Sequence, residues 1–292
     1  MKVLVLGPNG QLGSDFIRAA SAAGSGIEVQ GIGRSDLDVS DLATLESRLS
    51  ALSFDVLVNC TGYHRTDEAE ANASLAFAVN AHAVQRMARA CRVRGARFAH
   101  VSTDFVYGGD RARSRPHVES DETQPVNVYG ASKAMGELLA SAECEDILVV
   151  RVASLFGVAG ASGKGGNFVE TMLRLAKSQP ELKVVADQTM SPTATADVAR
   201  AMLELLEKRA PSGIYHVVNS GQATWHEFTC EIMRQTKHSV SVVAISSDKL
   251  NQAAKRPHYS VLNNAKTAAV VQPLPHWSEA LAVYLRSKGH IG

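Results

Sequence analysis

A doubly wound parallel α/β sheet carrying a smaller C-terminal lobe is the fold this sequence predicts, on three observations. Short, almost continuously apolar runs alternate with helix-length segments through the first two thirds of the 292 residues. A glycine-rich turn, Gly7-Pro8-Asn9-Gly10-Gln11-Leu12-Gly13, directly follows the first run and opens the first helical segment. After about Phe156 this regularity weakens. Unbroken apolar runs mark strands covered on both faces, and strand–helix alternation marks parallel crossovers.

Taken in order, strands are expected at Lys2–Leu6, Glu28–Ile32, Val56–Asn59, Arg97–Val101, Ile147–Arg151, Lys183–Val185 and Ile214–Val217. Helices are expected at Leu12–Ala23, Leu42–Leu52, Ser74–Arg94, Ser132–Ala142, Val169–Lys177 and Ala194–Lys208. In the last, Val198, Ala201, Met202 and Leu205 recur at i, i+3, i+4 and i+7, one buried stripe. Gly157–Gly166 packs five glycines and a lysine into ten residues and reads as a mobile connector or lid. From Asn219 onward a helix, a β-like run (Ser239–Ile245) and segments broken at Pro257 and Pro273 form the smaller lobe.

Composition narrows the function. Thirty Lys and Arg stand against 29 Asp and Glu, so nothing favours a nucleic-acid or membrane surface. No apolar run approaches the roughly 18–20 residues of a membrane helix. Cys60, Cys91, Cys144 and Cys230 are scattered, with no C-x-x-C pair, as expected of reduced thiols in a cytoplasmic protein. The histidines hold no H-x-x-x-H pair, and no metal site is expected.

Three motifs carry chemistry. In the glycine turn, Gly7, Asn9, Gly10, Gln11, Leu12 and Gly13 would let backbone N–H groups and a helix N-terminus approach a pyrophosphate, the device of Rossmann-type folds. The spacing is G-x-x-G-x-x-G, one residue off the usual fingerprint. Gly33-Arg34-Ser35 ends the second strand where NAD-specific proteins place an acid. Arg34 suits a ribose 2′-phosphate, so NADPH is favoured while NADH stays open, with Asp38 and Val39 near the adenine. The third motif is Tyr129-Gly130-Ala131-Ser132-Lys133, whose i, i+4 spacing puts phenol and ammonium on one helix face. A neighbouring cation lowers the phenol pKa toward useful acid–base catalysis. Ser102-Thr103-Asp104, at the end of the fourth strand, could orient a carbonyl in the same crevice. Residues 1–155, also receiving 181–218, are expected to bind the dinucleotide, and 156–180 with 219–292 the substrate.

Together these residues resemble the extended short-chain dehydrogenase/reductase superfamily and, within it, the dTDP-4-dehydrorhamnose reductase family. The resemblance covers nearly the whole chain. Leu37-Asp38-Val39-Ser40-Asp41, Asn59-Cys60-Thr61-Gly62-Tyr63, Asp67-Glu68-Ala69-Glu70, Val79-Asn80 and Ser102-Thr103-Asp104-Phe105-Val106-Tyr107 are similar to its blocks. So are Asn167-Phe168-Val169, Met172-Leu173-Arg174-Leu175-Ala176, Val185-Ala186-Asp187-Gln188, Ser191-Pro192-Thr193, Gly213-Ile214-Tyr215-His216 and Arg256-Pro257.

The resemblance implies nicotinamide-dependent reduction of the 4-keto group of a nucleotide-activated 6-deoxysugar, in the synthesis of surface polysaccharide. It implies Tyr129 as proton donor, Lys133 as its tuner and ribose ligand, and Thr103 as polariser of the carbonyl. Cys60, Thr61 and Gly62 would line the cofactor; His64, Asp104, Phe105, Ser154, Asn167 and Arg256 would meet the substrate. A homodimer fits the same resemblance. The chain departs from the family at Tyr63-His64-Arg65-Thr66-Asp67, where Tyr-Thr-x-Val-Asp is usual, and at Ser154, where Trp is common. One apolar contact shifts specificity by roughly 1–3 kcal/mol, so the sugar stays open. A nucleotide-sugar epimerase and a non-catalytic nucleotide-binding regulatory subunit share parts of this pattern.

Overall fold

Val3, Leu4, Val5 and Leu6 are all buried, so the first strand, β1 (Lys2–Leu6), is covered on both faces. The computed structural model describes residues 1–24, 26–160 and 166–292. Residues 161–165 of the expected glycine-rich connector therefore lie outside the described residues.

The chain continues through α1 (Gln11–Ala22), β2 (Glu28–Ile32), α2 (Leu45–Ser50), β3 (Val56–Asn59) and α3 (Thr66–Ala71). Next come α4 (Ala73–Phe77), a π-helical turn (Ala78–His82), α5 (Ala83–Arg94), β4 (Arg97–Thr103) and a 3-10 turn (Asp104–Val106). Then follow α6 (Val128–Glu143), β5 (Ile147–Val152), β6 (Leu155–Phe156), α7 (Phe168–Ala176), β7 (Glu181–Val185), β8 (Thr189–Met190) and β9 (Thr193–Ala194). The remainder holds α8 (Thr195–Glu207), β10 (Gly213–His216), β11 (Ala223–Thr224), α9 (Trp225–Thr236), β12 (Ser241–Ile245), α10 (Ala265–Ala268) and α11 (Trp277–Ser287).

Six parallel strands form the central sheet in the order β10-β5-β4-β3-β1-β2. It is the Rossmann-type, doubly wound sheet that the sequence predicts. On one face Phe16 of α1 and Val198, Met202 and Leu205 of α8 pack on Val5, Val58 and Val150. On the other, Leu45 and Leu49 of α2 and Val84, Met87 and Cys91 of α5 pack on Leu4, Leu57 and Phe98. The strand order reverses between β1 and β3, and ligands of open α/β sheets bind outside the carboxyl ends at such a point.

Four expectations need correction. The predicted helix Ser74–Arg94 is interrupted by the π-helical turn, which carries the fully buried Asn80 inward. The helix predicted from Ser132 begins at Val128, because Asn127 caps it by accepting from Gly130 N at 2.7 Å. Tyr129 therefore stands in its first turn. The helix predicted from Leu42 starts at Leu45, because the Asp41 carboxylate accepts from Ala43 N and from Thr44 N and Oγ1, an Asx-type turn. The strand expected at Lys183–Val185 is β7, which pairs in parallel with β12 outside the central sheet.

A third core cluster joins Phe156, Val169 and Leu173 to Leu182 and Val184 of β7, Phe228 and Ile232 of α9, and Leu281 and Leu285 of α11. Helix α9 starts on a capping box, Thr224 and Glu227 each satisfying the other's backbone N–H. This cluster lies beside the carboxyl ends of β4 and β5 and supplies one wall of the site. Among the described residues no helix is long and apolar enough to cross a membrane.

Candidate active site

Beyond β1 the backbone turns sharply at Gly7, whose φ of +81° lies in the left-handed region that glycine adopts without strain. A Cβ on Gly13 would stand 2.1 Å from the Gly7 carbonyl oxygen, so only glycine lets α1 enter this closely. Gly10 is the N-cap and supplies no side-chain cap, so the first N–H groups of α1 face the crevice. Beside them Gln11 donates to Leu155 O at 3.4 Å, while its buried Oε1 has no protein partner. Free backbone N–H donors on a cradle that a Cβ would fill fit the pyrophosphate of a dinucleotide, and the orphaned Gln11 acceptor suits one of its donors, a ribose hydroxyl or the carboxamide.

From β3 the chain passes into Cys60-Thr61-Gly62. Asn59 Oδ1 accepts from Thr61 N at 2.9 Å and from Thr61 Oγ1 at 2.6 Å, fixing that turn. Asn80, delivered by the π-helical turn, accepts from Tyr63 N at 2.8 Å and donates to Tyr63 O at 3.0 Å and Ser132 Oγ at 2.9 Å. One amide thus takes the place of a strand neighbour for the loop that leads to His64.

Tyr129 and Lys133 project from the first two turns of α6. Gly130 brings that helix against the 3-10 turn, since a Cβ there would be 2.1 Å from Phe105 O. Thr103, at the end of β4, faces Tyr129, and the Phe105 ring meets the phenol edge-on at 5.8 Å. Burial pushes the Tyr129 phenol up to about 12, against the lowering influence of the Thr103 hydroxyl. The lowering by Lys133 expected from sequence is absent in this arrangement. The reason is that Lys133 Nζ is turned inward, donating to Val101 O at 2.7 Å and lying 3.3 Å from His100 Nε2. Burial also lowers Lys133 to about 8, although Glu137 acts against it.

Asp104 is 2% exposed. It accepts from Thr103 Oγ1 at 3.0 Å and from Ser260 Oγ at 2.6 Å. Burial raises its carboxyl to about 6, with both hydrogen bonds opposing. Burial likewise pushes the Cys60 thiol up to about 12, so it is no nucleophile at neutral pH. Beneath the site lies a buried ion pair. Arg151 on β5 donates to both oxygens of Glu137, one turn beyond Lys133, and Ser102 Oγ donates to the same carboxylate.

A cleft of 660 Å³ gathers most of the expected residues. Gly7, Gly10, Gln11, Leu12 and Gly13 line it from the first turn, and Cys60, Thr61, Gly62 and His64 from the second. Thr103, Asp104 and Phe105 line it from β4, Tyr129 and Lys133 from α6, and Ser154 and Asn167 from the lobe side. Arg256 lines an adjoining 400 Å³ cavity instead, holding Asp67 through both terminal guanidinium nitrogens at 2.6 and 2.7 Å. Asn9, Arg34, Asp38 and Val39 line neither. Arg34 is 84% exposed on its side chain and pairs with Asp38 at 3.0 Å. Ser154 holds a left-handed backbone, φ 43°, unusual for a residue with a Cβ.

Sequence reasoning missed Trp225, whose ring packs on Phe168 at 4.6 Å where the two cavities meet. A single Trp outside any motif gives no signal. It also missed His100 and Ser260 as partners of the site, because each lies far along the chain from the residue it touches.

The model of the RmlD substrate binding domain matches residues 1–289. This chain belongs to that family. The family assignment agrees with the resemblance read from the motifs. Among curated proteins, the dTDP-4-dehydrorhamnose reductase of Burkholderia thailandensis is 36% identical, with 98% of each chain covered. The spore coat polysaccharide biosynthesis protein SpsK of Bacillus subtilis is 34% identical, again over 98% of each. Among solved structures, a dTDP-4-dehydrorhamnose reductase from Bacillus anthracis in complex with NADP superimposes with a TM-score of 0.90 at 31% identity, covering 98% of this chain and 99% of that one. In this RmlD-family chain the Tyr129 phenol, the Thr103 hydroxyl and Lys133 share one cleft with the glycine turn.

Proposed function

We propose that the protein is an NADPH-dependent reductase of the 4-keto group of a nucleotide-activated 6-deoxysugar, a dTDP-4-dehydrorhamnose reductase serving dTDP-rhamnose and surface polysaccharide synthesis. The observation that carries this reading is the convergence of Thr103, Tyr129 and Lys133 on the cleft that the glycine turn opens. The names and near-complete coverage of the relatives support the substrate and the cofactor.

When bound, NADPH supplies the hydride for the carbonyl carbon. Gly7, Gly10, Gln11, Leu12 and Gly13 hold the pyrophosphate end; Cys60, Thr61 and Gly62 flank the same cofactor. Asn9, Arg34, Asp38 and Val39 serve its adenosine end, where Arg34 exchanges Asp38 for the 2′-phosphate. Thr103 and Tyr129 meet the substrate oxygen, and Tyr129 gives its proton to the alkoxide as charge develops. A phenol raised to about 12 remains protonated throughout the neutral range and so is always ready as the acid. Lys133 steadies the phenolate left behind. His64, Asp104, Phe105, Ser154, Asn167 and Arg256 bind the nucleotide sugar, whose remote binding energy positions the keto carbon.

Residues 1–155 take the cofactor, and 156–180 with 219–292 take the substrate. The segment 181–218 is shared: α8 packs on the sheet while β7 packs in the lobe core. Val93 on α5 and Leu138 on α6 are 77% and 65% exposed, apolar surface that a homodimer in the cytoplasm would cover.

The test follows the loss of reduced-nicotinamide absorbance with dTDP-4-dehydrorhamnose, beside Tyr129→Phe. Turnover that falls by about two orders of magnitude or more in the variant, with NADPH still bound, supports the reading. Unchanged turnover in the variant, or NADPH binding without turnover of any 4-keto sugar by the wild type, overturns it.

A further inference from the structure

Two hydrogen-bond donors face one another at the inner end of the Lys133 side chain, and the reason lies in Asn59. Its Oδ1 is occupied by Thr61 N at 2.9 Å and Thr61 Oγ1 at 2.6 Å, which leaves Nδ2 toward His100 Nδ1 at 3.2 Å. The amide nitrogen has only protons to offer, so His100 Nδ1 must accept. The ring is fully buried, and burial drives its pKa well below the usual value, so it is neutral with a single proton. That proton sits on Nε2, 3.3 Å from Lys133 Nζ. An ammonium has no lone pair with which to receive it, whereas an amine has one and can still donate to Val101 O.

We propose that His100 is a positioning residue for Lys133. Its tautomer, set by Asn59, holds Lys133 as an unprotonated amine in this arrangement, and dinucleotide binding draws the side chain outward as an ammonium. Cofactor binding then takes up one proton from solvent onto Nζ. No other bond changes. This inference rests on the functional reading given above.

The surroundings leave few competing groups. From β3 the Cys60 thiol faces Nζ and is neutral in the working range. Glu137, one turn along α6, favours the charged amine but is bound by Arg151 on β5 and Ser102 on β4. Asp104 on the 3-10 turn is held by Thr103 and Ser260. The acids of α3 are turned elsewhere: Asp67 to Arg256, Glu68 to Arg65 and Glu70 to Val128 N. The arginines of α5 reach outward, Arg86 to Glu46, Arg89 and Arg92 to Glu143, and Arg94 to Ser50 O. Tyr129 faces Thr103.

Titration calorimetry of NADPH binding near pH 8, in buffers of differing ionisation enthalpy, reads proton uptake directly. The expected result is uptake of about half of one proton, the same with NADH, whose ribose lacks the titratable phosphate. The dissociation constant should rise with pH above that range, toward about tenfold per unit. Nitrogen NMR of the cofactor-free wild type should place the His100 proton on Nε2. In His100→Gln a side-chain carbonyl can accept from the ammonium, and uptake should fall toward zero while binding persists. A proton on Nδ1, or NADPH binding with no uptake, overturns the inference and leaves the reductase reading intact. Failure of the wild type to bind NADPH at all overturns the functional reading and this inference with it.

Discussion

A Cβ on Gly136 would lie 2.0 Å from the carbonyl oxygen of Asn80, closer than any real pair of such atoms. Helix α6 therefore presses its backbone directly on the π-helical turn that carries the Asn80 amide. Gly136→Ala must push the two apart, with an overpacking penalty of about 1–3 kcal/mol. A lower melting temperature and weaker NADPH binding are expected together, because the same helix carries Tyr129 and Lys133. Gly33→Ala is the control, its nearest atom being Asn9 Nδ2 at 3.6 Å, and should melt close to wild type. Equal melting of the two variants would contradict the packing argument.

The Glu137–Arg151 pair, at 2.6 Å and almost wholly buried, gives a second prediction. Glu137→Gln leaves the guanidinium without its counter-charge and should destabilise the fold by about 3–5 kcal/mol. Removing both charges in Glu137→Gln/Arg151→Met should destabilise by clearly less than the two single changes summed. Urea unfolding of the four proteins measures this, and strict additivity would argue that the pair does not act as a unit.

Asp104 sets a pH dependence whose sign is opposite to that of most carboxylates. Its folded pKa, about 6, exceeds the reference 3.8, so the folded state binds more protons between those values. Its contribution is full below 3.8 and is lost as the pH rises through 6. Asp104→Asn does not titrate, so its stability relative to wild type should improve by about 2 kcal/mol between pH 4 and 7. Chemical denaturation of both proteins across that range is the measurement; a flat difference would mean that the carboxyl is not raised.

Arg34 offers the cofactor test. Its ion pair with Asp38 is exposed, and such pairs are worth about 0–1 kcal/mol, so exchange for a phosphate is easy. Arg34→Ala should weaken NADPH by roughly tenfold to a hundredfold and leave NADH nearly unchanged, the scale of a charged hydrogen bond. Equal weakening of both would remove Arg34 from phosphate recognition.

Much of this was legible in the chain. The run of buried residues in β1 and the glycine turn after it are local signals, and the spacing of Tyr129 and Lys133 gains meaning beside that turn and Ser102-Thr103. The sheet strands follow from unbroken apolar runs. What the sequence hid is non-local. Nothing near Lys183 says that its strand pairs with Ser241–Ile245 rather than with the sheet. Nothing near Ser260 says that its hydroxyl meets Asp104, 156 positions earlier. The π-helical turn escaped because the apolar pattern of residues 74–94 continues through it, and only the inward Asn80 reveals the extra residue.

All four thiols of the chain are raised above their ordinary value, burial being the largest cause in each: Cys60, Cys91, Cys144 and Cys230. At neutral pH almost none of their sulfur is thiolate, the form that alkylating reagents attack. A single cysteine introduced on an exposed helix face, such as Val283→Cys on α11, would therefore be the group that maleimides modify first. The native protein supplies a chemically quiet background, in which a fluorophore or spin label can follow the motions of the cleft without first stripping the chain of its own sulfur.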